Sequence, residues 1–189
     1  MSQQGGGFLY LTHHMNSLYD TSSFTARMTI PMTSQWLDGT EERAWRAYRR
    51  MFTLLESRLS SELAEETGLS MADYTVLSNL VEVEERRWRV TALADYVQWS
   101  QSRLSHHITR MEERGLVRRE QVRGDARGAY VVLTRRGLKA IATATPAHLS
   151  GVRRHMIDLL TREQLETLGD IGRIVVGHLT GDDSSPEEA

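Results

Sequence analysis

The chain of 189 residues contains no cysteine. This absence excludes disulfides, thiolate nucleophiles, cysteine-based redox sensing and cysteine-containing zinc sites. The sequence also lacks an uncharged apolar run near the roughly 20 residues of a membrane span, and it has no basic-then-apolar signal at its N-terminus. We therefore expect a cytoplasmic protein with no membrane partner.

Enzyme signatures are absent too. The chain has no HExxH, GxSxG, GxxxxGK or GxGxxG motif, and its carboxylates show only the spacing of helix-surface Glu/Arg pairs. The adjacent His106 and His107 diverge by about 100° on a helix and are poorly placed to chelate one ion. His148 and His155 can share a helix face with Asp158, but exposed or interface histidines are the favoured interpretation. The sequence predicts no catalytic site, no cofactor and no metal.

Lysine is nearly absent, because Lys139 is the only lysine among 23 basic residues. Nine arginines and four acidic residues fall between positions 100 and 136, so this segment carries +5 and the remainder −7 within a net charge of −2. Such an asymmetry is typical of a protein that docks one face on phosphates. Arginine suits bidentate phosphate and guanine contacts, although genomic base composition explains the scarcity of lysine equally well.

The two ends of the chain look separate from its middle. Residues 1–39 begin with MSQQGGG and continue as a Ser/Thr-rich stretch, which predicts a flexible extension. Met32 is a possible alternative start, and the competing interpretation is an arm that packs on a partner subunit. The polar residues 181–189 predict a disordered tail.

The middle of the chain reads as six helices and one hairpin. Apolar residues at spacings of three and four begin after Thr40 and end at Gly68, and Ser70 with Asp73 forms a capping box for a second helix. The segment EVEERRWR reads as a charged break. Thr91 is then expected to cap a short third helix. The pattern is mainly α.

A helix-turn-helix candidate follows, since Ser100 can cap a fourth helix that ends at Gly115. The segments LVRREQV and AYVVLT predict the strands of a small hairpin. Thr134 is expected to cap a helix running to about residue 160, kinked at Pro146. Thr161 and Gln164 form a capping box for the last helix.

The fourth helix has two distinct faces. Leu104, Ile108 and Met111 recur at helical spacing and define its inward side. The side chains predicted to point outward are Ser102, His106, Thr109, Arg110 and Glu113, with Arg103 on the shoulder. Hydroxyls, histidine and arginine reach base edges and phosphates in a major groove. A solvated polar face is the commoner explanation of such a stripe, but the adjacent charged hairpin favours nucleic acid.

The tip of the hairpin predicts a second contact. Gly124 and Gly128 permit a tight or left-handed turn, and Asp125 and Arg127 are spaced to point the same way and pair. An arginine held at a narrow tip can enter a minor groove, where the negative potential is strongest. An ordinary solvated turn is the alternative.

The first and last helices carry more apolar surface than one small domain needs to cover itself, which predicts a dimer. Trp36, Trp45, Tyr48 and Phe52 form an aromatic group in and before the first helix. Packing in the core or a dimer interface is favoured over a ligand pocket lined by Trp45 and Tyr48.

The run from VTALADYVQW through RMEERGLVRR, the Asp-x-Arg of the hairpin and VLTRRG resembles the MarR family of bacterial transcriptional regulators. The resemblance implies a winged helix-turn-helix with N- and C-terminal dimerisation helices. It implies one domain over residues 40–180, with a DNA-binding lobe at about 70–137 and dimerisation helices at about 40–66 and 138–180.

By this resemblance the protein is expected to be a homodimeric, sequence-specific repressor of a palindromic operator on double-stranded DNA, relieved by a small molecule of unknown identity. The alternative is a dimeric winged-helix adaptor that binds a ligand or protein without operator DNA. His106 stands where the family often has arginine. The residues expected to contact DNA are Ser100, Gln101, Ser102, Arg103, Ser105, His106, Thr109 and Arg110 in the recognition helix, with Arg123, Asp125 and Arg127 in the wing.

Overall fold

The computed structural model describes residues 37–122 and 124–181, and within the wing it leaves the side chains of Ala126 and Arg127 undescribed. The predicted extension up to residue 36, including Met32 and Trp36, and the tail from 182 lie outside the described residues. The chain divides into two compact units at Arg43–Ala44, and the candidate site lies wholly in the second unit.

Six α-helices and three strands make up the described chain, as the mainly α prediction requires. The helices are α1 (Gly39–Thr67), α2 (Met71–Glu82), α3 (Val90–Tyr96), α4 (Gln101–Glu113), α5 (Arg135–His155) and α6 (Arg162–Thr180), and the strands are β1 (Arg87–Arg89), β2 (Val117–Val122) and β3 (Asp125–Leu133). One 3₁₀ turn, Ile157–Leu159, follows α5. Along the described ranges no helix is both long and apolar enough to cross a membrane.

Local sequence explains where most helices begin. The Ser70 hydroxyl accepts from the Asp73 backbone N–H while the Asp73 carboxylate accepts from the Ser70 N–H, which completes the predicted capping box of α2. Thr161 and Gln164 form the same box at α6. Thr134 caps α5 through the backbone N–H of Gly137.

Two expectations about helix ends are wrong. Thr91 does not cap α3, because β1 runs straight into that helix and Arg89 occupies the cap position without a side-chain hydrogen bond. The fifth helix stops at His155 rather than near residue 160, and the chain turns there through the 3₁₀ segment. Pro146 lies inside α5, and the kink expected there stays a prediction.

The predicted hairpin is part of a three-stranded antiparallel sheet in the order β1–β3–β2. The extra strand is β1, in the segment read as a charged break, where Trp88 pairs with Val131 of β3. On the other side of β3, Arg119 of β2 pairs with the same Val131. A bulge between Gln121 and Val122 shifts the register just before the tip.

One apolar core joins the helix-turn-helix to the sheet. Eight large side chains that are fully buried in it come from α2, α3, α4 and β3, namely Val76, Leu77, Leu80, Leu93, Leu104, Ile108, Met111 and Val131. Burying an aliphatic side chain of this kind stabilises a fold by about 1.5–3 kcal/mol. The core therefore fixes which face of α4 points outward.

Candidate nucleic-acid interface

Because the apolar face of α4 packs in the core, the polar face of this helix is exposed to solvent. Leu104, Ile108 and Met111 are fully buried, as the helical spacing predicts. Ser100 caps the helix by accepting from the Arg103 backbone N–H at 3.2 Å, which orients the first turn. The N-terminus of the helix, with its partial positive charge, is thus open to an anion.

Four candidate side chains in the first half of α4 are exposed: Gln101, Ser102, Arg103 and His106. Arg103 is held in place, since its guanidinium carbon lies 4.2 Å from the centre of the Trp99 ring. A contact with the ring face uses the charge of the guanidinium, and its N–H groups can still donate to an acceptor. The face therefore combines fixed and adaptable donors.

Two further candidates, Ser105 and Thr109, are exposed and also bind the protein itself. Nη2 of Arg119 in β2 donates to the Ser105 carbonyl at 2.8 Å and to the Thr109 hydroxyl at 3.1 Å. The same guanidinium forms an ion pair with Glu112 of α4, which also accepts from the Arg119 backbone N–H at 2.6 Å. Arg119 thus ties the first strand of the wing to the recognition helix.

Behind α4 lies a buried group of charges. The Asp73 carboxylate, 2% exposed, accepts from Arg114 Nη1 at 2.7 Å, and Arg114 Nη2 donates to the Gly68 carbonyl at 3.0 Å. Burial alone raises the pKa of Asp73, but the hydrogen bonds from His107, Arg114 and Ser70 outweigh it and hold that pKa well below its ordinary value. The carboxylate therefore stays ionised and anchors the C-terminal end of α4 to α2.

The wing differs in detail from its prediction. Gly124 has a φ of +80°, as a left-handed turn needs, but Gly128 has no positive φ. A Cβ at Gly128 would overlap the Asp125 carboxylate, so a larger residue there would displace that side chain. That carboxylate lies 3.8 Å from Nη1 of Arg89. Arg123 and the Arg127 side chain lie outside the described residues, so the Asp125–Arg127 pair stays a prediction.

A cavity of about 420 Å³ separates the wing from α4. It is lined by Arg89, Val90, Thr91, Gln101, Ser105, Arg119, Asp125, Gly128 and Ala129. Its charged lining residues are Arg89, Arg119 and Asp125, which leave a net positive charge. A ligand here would touch both elements that are candidates to contact DNA.

The histidines considered for metal binding face different partners. His155 Nε2 lies 2.9 Å from the Glu62 carboxylate, which also pairs with Arg58. His148 packs on Tyr74 with ring centres 4.5 Å apart, and burial lowers the pKa of His148. Within residues 37–122 and 124–181, no three potential ligands converge on one point.

Within the described residues, two apolar surfaces are exposed. No residue of α6 is buried, and five of its large apolar side chains, including Ile171, Val175 and Leu179, are half or more exposed. On α1, Trp45, Tyr48 and Phe52 stack in a row with centroid distances of 5.8 and 6.3 Å, each at least half exposed. These three aromatics are therefore not core residues of the described chain, and their packing in a dimer interface stays a prediction.

Sequence reasoning missed four residues that organise the interface: Asp73 as a partner of α4, Arg89, His107 and Arg119. The position of His107 could have been found, since it lies between Leu104 and Met111 on the inward face of the helical wheel. The others depend on contacts between distant segments. No local pattern indicates them.

Comparison with known proteins gives a consistent result. The model of the MarR family matches residues 60–128. The transcriptional regulator HosA of Escherichia coli is 31% identical over 104 residues, which cover 55% of this chain and 73% of HosA. Among solved structures, AbsC, a MarR family regulator from Streptomyces coelicolor, has a TM-score of 0.73 and 43% identity, covering 78% of this chain and 99% of AbsC. Sco3205 from the same organism, crystallised with DNA, has a TM-score of 0.73 and 39% identity, covering 82% and 95%.

Proposed function

Because the chain belongs to the MarR family of DNA-binding transcriptional regulators, which are not enzymes, we propose that it is a homodimeric repressor of a palindromic operator, released by a small molecule. The observation that carries the proposal is the outward face of α4. Its polar side chains are exposed in a row, and the helix behind them is fixed by core packing, by Asp73 and by Arg119. A preorganised polar face of this kind suits readout of a major groove.

Roles within α4 follow from position. Gln101, Ser102 and His106 lie on the exposed turns and are the side chains proposed to read base edges. Ser100 and Arg103, at the start of the helix, are suited to the phosphate backbone, because the capped N-terminus and a guanidinium both favour an anion. Ser105, Thr109 and Arg110 are proposed to complete the same surface. Support comes from Sco3205, which is 39% identical over most of its length and was crystallised with DNA.

The wing is proposed to reach a flanking minor groove. Arg123 and Arg127 supply the cations, and Asp125 is proposed to orient them while it pairs with Arg89 at the base of the wing. Minor grooves of narrow width attract arginine through their enhanced negative potential. Removing Arg127 should therefore weaken binding to all sequences alike.

A second copy is proposed to cover α6 and the aromatic row of α1. A 19-residue helix with no fully buried residue gains little from packing within its own chain, yet it carries an exposed apolar face. Twofold symmetry would place two recognition helices about 34 Å apart, one turn of DNA, which matches a palindrome.

The cavity between α4 and the wing is proposed as the effector site, for a small organic anion. Arg89 and Arg119 would bind its charged group, and the ligand would compete with Glu112, Ser105 and Thr109 for Arg119. Loss of those contacts would free the wing from α4. Binding of DNA and of ligand would then oppose each other by linkage.

The test begins with selection of DNA sites from a random duplex pool by the full chain. Fluorescence anisotropy then compares a selected site with a scrambled duplex over a range of salt concentrations. We expect a preference of at least roughly 1,000-fold and a log–log slope near −0.9 per phosphate contact. Equal affinity for the two duplexes would contradict the proposal and favour the adaptor.

Single variants then assign the roles. Ser102→Ala and His106→Gln should change which base is preferred, by about 1–3 kcal/mol at one position. Arg103→Ala should weaken all duplexes alike and reduce the salt slope by about one. Arg162→Ala, on exposed α6 and far in sequence from the wing, is the matched control and should bind as the wild type does. Titration with benzoate and its hydroxylated derivatives tests the cavity, and Arg89→Ala should abolish any release they cause.

A further inference from the structure

We infer that His107 is a positioning residue for DNA recognition, which holds the Arg110 guanidinium in place on the recognition helix while Asp73 fixes the tautomer that makes this possible. The inference rests on the proposed function, in which Arg110 contacts DNA. His107 was considered in the sequence only as a neighbour of His106 in a doubtful metal pair. The structure gives it a different environment.

His107 is a buried member of a polar chain within an otherwise apolar face. It is 7% exposed, beside the fully buried Leu104 and Ile108. The edge of its ring meets the Trp99 ring at 5.8 Å and 89°. Aromatic contact on one side and core packing on the other leave the imidazole little rotational freedom.

Its hydrogen-bond partners determine which nitrogen carries the proton. Arg110 Nη2 lies 3.0 Å from Nδ1 of His107, and a guanidinium N–H can only donate. Nδ1 must therefore accept, which places the proton on Nε2. Nε2 lies 3.1 Å from the Asp73 carboxylate, within ion-pair distance, although the direction of its N–H is too oblique for a well-formed hydrogen bond.

The partner on the other side is itself immobile. Asp73 is held by the Ser70 backbone N–H at 3.0 Å and by Arg114 at 2.7 Å. A continuous chain of contacts thus runs from the start of α2 through Asp73 and His107 to Arg110. This arrangement gives a physical reason for a polar ring among the buried side chains of α4.

The benefit to DNA binding is preorganisation. Arg110 uses one of its five N–H groups on His107 and retains the others for phosphate or guanine. A free arginine loses much rotamer freedom when it is immobilised, so restraint in advance should strengthen binding by up to roughly tenfold. His107→Leu removes the restraint on Arg110 together with the contacts of the ring with Asp73 and Trp99.

The experiment is a double-mutant cycle in the full chain, measured by anisotropy on the selected duplex. We expect His107→Leu to weaken binding about five- to tenfold, and Arg110→Ala about tenfold or more. The double variant should bind as Arg110→Ala does, within about twofold, because the restraint has no value without its arginine. His107→Gln should restore binding, since its carbonyl can accept from Arg110 and its amide N–H₂ can donate to Asp73.

Circular dichroism and urea unfolding show whether each variant is folded, and His107→Met replaces His107→Leu in the cycle if the leucine variant is not. A purely structural role predicts that the loss from His107→Leu persists in the Arg110→Ala background, and this result would overturn the inference. So would a glutamine variant as weak as the leucine variant, or an Arg110→Ala variant that binds as the wild type does. If the wild type does not prefer its selected duplex, the proposed function fails first and the inference with it.

Discussion

Truncation of the exposed face of α6 tests the proposed dimer most directly. Ile171 and Val175 are 53% and 50% exposed, so covering both would bury the equivalent of one whole aliphatic side chain. Such burial contributes about 1.5–3 kcal/mol. Alanine removes most of this contribution in each copy and keeps the helix propensity high. By twofold symmetry the effect doubles, so Ile171→Ala/Val175→Ala should weaken the dimer by about 2–5 kcal/mol, or roughly 30- to 5,000-fold in dissociation constant.

Sedimentation velocity over a dilution series measures this constant. Arg173→Ala is the matched control, because Arg173 lies on the opposite side of α6 and loses only an exposed pair with Asp170. Operator affinity of the double variant should fall at protein concentrations where the dimer dissociates and recover at higher ones. A dissociation constant within threefold of the wild type would refute the assignment of this face to a second copy.

Three further outcomes concern stability, each measured by urea unfolding at fixed protein concentration. Gly137→Ala should lower the free energy of unfolding by about 3 kcal/mol or more, since the new Cβ would lie 2.0 Å from the Leu116 carbonyl oxygen. Gly169→Ala, at an open position inside α6, should instead raise it by up to about 1 kcal/mol. Asp73→Asn should lower the free energy of unfolding by about 2–3 kcal/mol at neutral pH. Because the folded-state pKa of Asp73 lies below its ordinary 3.8, the stabilisation from the ionised carboxylate is complete above pH 3.8 and is lost as the pH falls further. An equal effect of the substitution at about pH 7 and pH 3 would contradict the network. Burial lowers the folded-state pKa of His148 below 6.5, so the wild type should lose stability as pH falls below 6.5, and His148→Phe should lack that part of the slope.

Local signals in the sequence were sufficient for most of the fold. The capping boxes at Ser70 and Thr161 formed as predicted, because both partners lie within one turn and need no tertiary contact. The resemblance to the MarR family is confirmed by the matching family model and by relatives of 31–43% identity. The inward face of α4 followed from the spacing of Leu104, Ile108 and Met111 alone.

The features that the sequence did not reveal depend on contacts between residues far apart in the chain. Strand β1 has only three residues with charged ends, and it is a strand because Trp88 pairs with Val131, more than 40 positions away. A pattern of period two cannot be recognised over three residues. The apolar stripe of α1 was recognised as helical, but its surroundings were not. Helical spacing of apolar residues is the same for a face in the core and for a face that packs on a partner.

Local pattern and distant contacts also contribute differently to the recognition helix α4. Its apolar inward face was predicted from the sequence. Its position relative to α2 and the wing is set by ion pairs at its edges, Asp73 with Arg114 on one side and Glu112 with Arg119 on the other. Apolar packing tolerates few arrangements other than the native one, whereas an ion pair at a partly exposed edge can exchange one partner for another. A small anion in the cavity beside Arg119 has such an exchange available, because Arg119 can release Glu112 without any loss from the core. The ion pair of Asp73 at the other edge cannot exchange its partner for the anion, because the Asp73 carboxylate is buried. Release by an effector should therefore move the wing relative to α4 and leave α2 and α4 fixed, so amide exchange on ligand binding should increase in β2 and remain unchanged around Asp73.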